Sequence, residues 1–274
     1  MLANSKEKKT SEREGSAAMN ILITSGGTKI PIDRVRSITN MSKGTFGSKI
    51  ADEFYSSLKD GHDKITFFMA KGSKMPRRQD IDNEYFDAGA NIIKFVEYVT
   101  FDDYKAGIEK LLSEEKFDII VVAAAVSDYG VANYYNGKYR SREDDMCIKL
   151  VKLPKILPIM RKMAPEAVIC GFKLLVDSTQ EELIAAMTKQ VEETKVDIVI
   201  GNDLRDIKAD DHKLLIMSRD REQNDEDVLH YSWREVKQPP KAERTPKTAN
   251  CLAEAVVNEC IEAYNKKLIN RKMI

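Results

Sequence analysis

The feature that most limits what this chain can fold into is a recurring pair of patterns. A short, continuously apolar run is followed by a stretch with helical spacing. The apolar runs cover residues 21–24, 65–70, 92–98, 117–125, 167–172 and 196–200. A run of strand length that does not alternate needs cover on both faces, as strands of a parallel sheet have. Between the runs, residues 44–59 place Ile50, Phe54 and Leu58 at helical spacing, with Gly61 as a stop. Thr100 with Asp103 opens a helix to about residue 113, and Ser178 with Glu181 and Glu182 opens another to about residue 194. Pro154 fits the first turn of a short helix, and residues 249–268 form a final amphipathic one. This order predicts an α/β fold, a doubly wound sheet in a single domain. Residues 147–151 read as a half-exposed strand, and 212–217 with 228–233 as an antiparallel hairpin added to the sheet. Residues 129–145 are polar and tyrosine-rich and read as a flap. Residues 1–18 carry no periodicity and read as a disordered extension or leader, leaving 19–274 as the folded domain.

Composition narrows the function classes. In the 274 residues, 44 Lys and Arg balance 44 Asp and Glu, so no global field draws the chain to nucleic acid or to an anionic membrane. No apolar run nears the roughly 20 residues that span a bilayer, and no secretory signal is visible, so a cytoplasmic protein is expected. Cys147, Cys170, Cys251 and Cys260 form no Cys-x-x-Cys pair and read as reduced thiols.

Several segments carry possible chemistry. Ser25-Gly26-Gly27-Thr28 leaves the first strand, where glycines allow close approach of a ligand and hydroxyls add donors for phosphate oxygens; a tight turn is the plain alternative. It is neither a dinucleotide fingerprint nor a P-loop. Gly44 and Gly47 open the first helix, whose free amides suit an anion. Arg34 and Arg36 could grip a phosphate or carboxylate, or simply be solvated. Asn40 is an amide donor able to stabilise an oxyanion, or a turn former. Ala123-Ala124-Ala125-Val126-Ser127-Asp128 ends the central strand in small side chains, with Asp128 as an acceptor for substrate hydroxyls or a loop cap.

Other patterns are decoys. Tyr134 and Lys138 reproduce the Tyr-x-x-x-Lys of short-chain dehydrogenases, but Asn136 and Gly137 interrupt the helix that pair requires. His62, His212 and His230 share no metal-ligand spacing, and Gly-x-Ser-x-Gly is absent, so no protein-held metal and no serine hydrolase is expected. The basic stretch from Lys71 to Arg78 reads as a solvated loop.

Taken in order, ILITSGGTKIPIDRVRSITNMSKGTFG, AAAVSDY, GK…IKLVKLPKIL and GFKLLVDST…DIVIGNDL run from Ile21 to about Met217. Together they resemble the phosphopantothenate–cysteine ligases of coenzyme A synthesis, in particular the stand-alone bacterial type. The chain is too short to add the decarboxylase half of bifunctional relatives. The resemblance implies a Rossmann-like fold and a homodimer with a shared active site. It also implies ligation of 4′-phosphopantothenate to cysteine through an acyl-nucleotidyl intermediate, driven by CTP or ATP with Mg2+. A catalytically inactive binding protein of the same fold is the alternative. By resemblance, Asn40 assists cysteine attack, and Arg36 reaches the substrate phosphate of the neighbouring subunit. Ala124, Ala125 and Asp128 touch phosphopantothenate and, with Ala123, the nucleotide. Ser25, Gly26 and Gly27 form the phosphate loop, and Lys138 meets the α-phosphate from the flap. Pro154, Lys155, Ile156 and Leu157 frame the base, Phe172 packs on the nucleotide, and Lys189 touches the triphosphate. Glu193 stands where many bacterial members have a second lysine, and Arg140 is a candidate replacement for its charge. The GFKLLVD and GND segments favour CTP.

Overall fold

The structure, a computed structural model, describes residues 18–58, 63–77, 92–140, 146–208, 212–220, 230–245, 248 and 250–272. The extension at 1–17 and the Gly61 stop lie outside these residues. An eight-stranded sheet forms the centre. Its strands are β1 (Asn20–Ser25), β4 (Lys64–Ala70), β5 (Ile92–Tyr98), β6 (Ile119–Val122), β9 (Val168–Leu175), β10 (Ile198–Asp203), β11 (Lys213–Asp220) and β12 (His230–Lys237), in the spatial order β12-β11-β10-β9-β6-β1-β4-β5. The six from β10 to β5 are parallel, and β11 and β12 are antiparallel. Two ribbons lie outside the sheet: β2 (Lys29–Pro31) with β3 (Ser37–Thr39), and β7 (Tyr129–Val131) with β8 (Leu150–Lys152).

Successive strand residues feed opposite cores, which is why the runs are continuously apolar. Ile21, Ile23, Ile65, Phe67, Ile119, Val121 and Ile198 pack against α1 (Thr45–Ser57) and α6 (Cys251–Lys272). Leu22, Phe68, Ile120, Ile169 and Val199 pack on the other face against α2 (Phe101–Glu114), α3 (Ile156–Met163) and α4 (Gln180–Thr194). Two helices begin in capping boxes that satisfy otherwise orphaned amides. Thr100 and Asp103 cap α2 as the sequence predicts, whereas Thr179, not Ser178, caps α4 with Glu182. The Ser178 hydroxyl instead donates to Asp203 at 2.8 Å.

Three further expectations are corrected. Pro154 precedes α3, and Pro158 occupies its first turn, because Lys155 is the N-cap. The central strand ends at Val122, since Ala123–Ala125 peel away toward the first loop. The strand expected at 147–151 is β8, three residues later at its start and one at its end. Short α5 (Leu204–Lys208) follows β10. Among the described residues, no helix is long and apolar enough to cross a membrane.

Candidate active site at the carboxyl ends of the strands

The chain moves outward from β1 through β4 to β5, then returns to β6 on the other side of β1. Such a reversal leaves a crevice beyond the strand ends, the usual ligand position in α/β sheets. Here Gly27 bridges Ala125, with the Ala125 N–H donating to the Gly26 carbonyl at 2.8 Å. The Asn40 side-chain amide donates to the Ala125 carbonyl at 2.7 Å, so the asparagine, the glycine loop and the alanine exit meet at one point. Asn40 itself is exposed and its second face is open to a ligand.

The loop glycines are required by the protein packed around them. Gly26 has φ 87°, and a Cβ there would stand 2.7 Å from the Ala70 Cβ. A Cβ on Gly27 would stand 3.0 Å from the Asn40 carbonyl oxygen. They admit neighbouring protein, and in doing so set where Asn40 sits. Beneath the loop, the Tyr98 hydroxyl donates to the Ser25 carbonyl at 2.7 Å and the Tyr104 hydroxyl to Thr24 Oγ1 at 3.1 Å. Burial pushes both phenols up, so they remain donors. These two tyrosines were not anticipated, because buried aromatic residues read as core in any sequence.

Arg36 and the flap are joined within this protomer. The Arg36 guanidinium donates to Asp33 Oδ2 at 3.0 Å through Nε and to the Tyr139 carbonyl at 2.9 Å through a terminal nitrogen, and it lies 5.8 Å from the Tyr139 ring centroid. Burial alone would raise the Asp33 carboxyl. Backbone N–H donors of Val35, Arg36 and Tyr139, with the Arg36 side chain, outweigh it and hold the pKa at about 2. Lys138 and Arg140 flank Tyr139 and are exposed. Asp128 and Lys155 form an ion pair at 2.6 Å, joining the alanine exit to the start of α3.

The remaining candidates divide. Phe172 leaves β9 beside Phe46, ring centroids 5.9 Å apart, and Phe46 lies 6.4 Å from His212. Asn202 on β10 approaches His212 at 3.5 Å. Leu157 lies near the β9 backbone at Gly171, and Pro154 is exposed, but the Ile156 side chain is buried in the second core. Lys189 is not brought to the others. It lies more than two turns along α4, ~14 Å at about 1.5 Å per residue, exposed and 3.9 Å from Glu193.

At the start of α1, opened by Gly44 and Gly47, the N-cap Gly44 has φ 74° and no side-chain cap, and the first turn holds no acid. Among the described residues, no three His, Cys, Asp or Glu side chains converge as a metal site.

Comparison with known proteins agrees with this arrangement. The bifunctional coenzyme A biosynthesis protein CoaBC of Thermococcus kodakarensis is 30% identical over 200 residues, covering 73% of this chain and 45% of the relative. The mouse phosphopantothenate–cysteine ligase is 25% identical over 246 residues, covering 74% of this chain and 76% of that protein. A solved DNA/pantothenate metabolism flavoprotein from Streptococcus pneumoniae superposes with TM-score 0.68 at 26% identity, covering 90% of this chain and all of the other. The chain spans about half the length of the bifunctional relatives it matches. The family model of the DNA/pantothenate metabolism flavoprotein C-terminal domain matches residues 16–60 and 89–233. The doubly wound sheet, the glycine loop and the alanine exit therefore sit in a known frame, and the chain belongs to the DNA/pantothenate metabolism flavoprotein C-terminal domain family.

Proposed function

We propose that the chain is a phosphopantothenate–cysteine ligase that uses a nucleoside triphosphate, CTP in preference to ATP, and acts as a homodimer with a shared site. The observation that carries this reading is the junction of Asn40, Gly27 and Ala125 at the reversal of the sheet. An amide cannot form directly from a carboxylate, because oxide is too poor a leaving group. The carboxylate oxygen of 4′-phosphopantothenate attacks the α-phosphorus, a Pα–O bond forms, and the bond to the bridging oxygen breaks with release of pyrophosphate. The cysteine amine then attacks the acyl carbon, the nucleoside monophosphate leaves, and the amine proton passes to solvent.

Each step needs charge held where it builds. Asn40 offers an amide donor beside the acyl carbon, and Lys138 on the flap offers a cation to the α-phosphate. Asp128 accepts from hydroxyls once Lys155 swings off it, and Phe172 with Phe46 offers an aromatic wall to the nucleotide. Magnesium enters with the triphosphate and screens its charge. Arg36 reaches the substrate phosphate of the partner protomer while its Nε stays on Asp33.

The test is to supply 4′-phosphopantothenate, cysteine and Mg2+ with CTP or ATP separately and to identify products by mass spectrometry. Phosphopantothenoylcysteine with CMP is expected. The same product with AMP overturns the choice of base, and no product with either nucleotide favours the inactive binding protein.

A further inference from the structure

We propose that Asp33 is a positioning residue for two cations at once: Lys138 on the flap, and Arg36, which serves the other protomer's site. The inference rests on the ligase reading above, which gives those cations their tasks; their joint setting rests on hydrogen bonds within this chain. The Asp33 side chain is wholly buried, beside an Arg36 side chain that is 40% exposed. Its two oxygens have different partners. Oδ1 accepts the N–H of Val35 at 2.8 Å and of Arg36 at 2.7 Å, which closes the turn of its own loop. Oδ2 accepts Arg36 Nε at 3.0 Å and, from 106 residues further along the chain, the Tyr139 N–H at 3.2 Å.

Arg36 completes the arrangement. Its terminal nitrogen donates to the Tyr139 carbonyl at 2.9 Å, so the ion pair grips the peptides on either side of Tyr139, one through the acid and one through the base. Two residues earlier, the Gly137 carbonyl accepts the Arg34 N–H at 3.0 Å. Lys138 is therefore bracketed by two residues that the 32–36 loop holds. The Tyr135 N–H donates to the Ile32 carbonyl at 3.1 Å, and the Tyr135 and Tyr139 rings pack with centroids 4.7 Å apart. A Cβ on Gly137 would stand 2.7 Å from the Tyr135 ring, so the flap needs glycine there to fold back on the loop.

Each cation gains from this. A long side chain loses rotamer freedom when it docks on a phosphate, and fixing it in advance removes that loss from the binding step. Asp33 fixes the inner edge of the Arg36 guanidinium and leaves the exposed remainder to meet a phosphate. Lys138 has its main chain held by its neighbours while its side chain stays exposed. The lysine then starts from a fixed point as charge builds at the α-phosphate. Because one carboxylate sets both, a lesion at Asp33 reaches substrate binding through Arg36 and the chemical step through Lys138.

The experiment is steady-state kinetics of the full chain with 4′-phosphopantothenate varied, for Asp33→Asn alone and combined with Arg36→Ala or Lys138→Ala. Asn keeps the turn bonds with its oxygen and presents an NH2 group to Arg36 Nε and the Tyr139 N–H, where no bond can form. Asp33→Asn is expected to raise KM for 4′-phosphopantothenate at least about fivefold and to lower kcat at least about tenfold. The KM effect should vanish in the Arg36→Ala background, and the kcat effect in the Lys138→Ala background. Effects that multiply unchanged in both double variants belong to a structural lesion and overturn the proposal. Asp33→Ser, which can make a turn bond through its hydroxyl, covers the case in which Asp33→Asn does not fold. Hydrogen exchange at the Tyr139 amide needs no turnover. If the native chain forms no product, the ligase reading falls; loss of Tyr139 protection in Asp33→Asn then keeps the positioning role, and native-like protection overturns it.

Discussion

At the scale of single residues, Asn40 and Asp33 bear on different properties. Asn40 is exposed and spends one hydrogen bond on a carbonyl at the rim. Asn40→Ala is therefore expected to leave the melting temperature nearly unchanged while turnover falls ~100- to 1,000-fold, as removal of a preorganised donor does. Steady-state kinetics beside thermal melts check this, and a variant of native turnover would remove Asn40 from the mechanism. Asp33 acts on the flap. Its folded pKa of about 2 lies below the unfolded value near 3.9, so its contribution is complete above that unfolded value. It is lost as pH falls through about 2. The Tyr139 amide, which donates to Asp33 at 3.2 Å, should lose hydrogen-exchange protection in Asp33→Ala at neutral pH. Native-like protection in that variant would show that other contacts hold the flap.

At the scale of elements, the capping boxes and the buried tyrosines set stability. Thr100→Ala removes one side-chain cap from α2 and should cost ~1 kcal/mol, with a melting shift of about 2–4 °C for a domain of this size. Tyr98→Phe strands the buried Ser25 carbonyl and should cost ~1–3 kcal/mol; denaturant unfolding measures both. A Tyr98→Phe value near zero would show that the carbonyl finds another donor. The same elements explain what could be read in advance. Two-sided burial writes itself as apolar runs, so all six parallel strands were legible, and the Thr100–Asp103 spacing located α2. The ribbon of β2 and β3 was not, because β3 is exposed along its whole length and has no apolar side to reveal it. For the site, Asn40, Ala125 and Gly27 were legible through motif spacing. The start of α1 was legible as well, through the Gly44 and Gly47 that open it.

At the scale of the whole molecule, the shared-site proposal can be tested without structural work. If Arg36 serves the partner's substrate, Arg36→Ala and Asn40→Ala homodimers are each inactive by themselves. Mixed under subunit exchange, they should regain about a quarter of native activity, because half of the dimers are then mixed and each mixed dimer has one intact site of two. A mixture as inactive as its components would place both residues in the same site of one protomer. The sheet direction has a practical consequence as well. The junction of Asn40, Gly27 and Ala125 lies where the parallel strands end, while residue 18 leads into β1 at the opposite rim, a full strand of six residues away. At about 3.3 Å per residue that is ~20 Å. A bead, dye or surface tethered ahead of residue 18 would hold the molecule from behind, with its working side turned outward to the bulk solution.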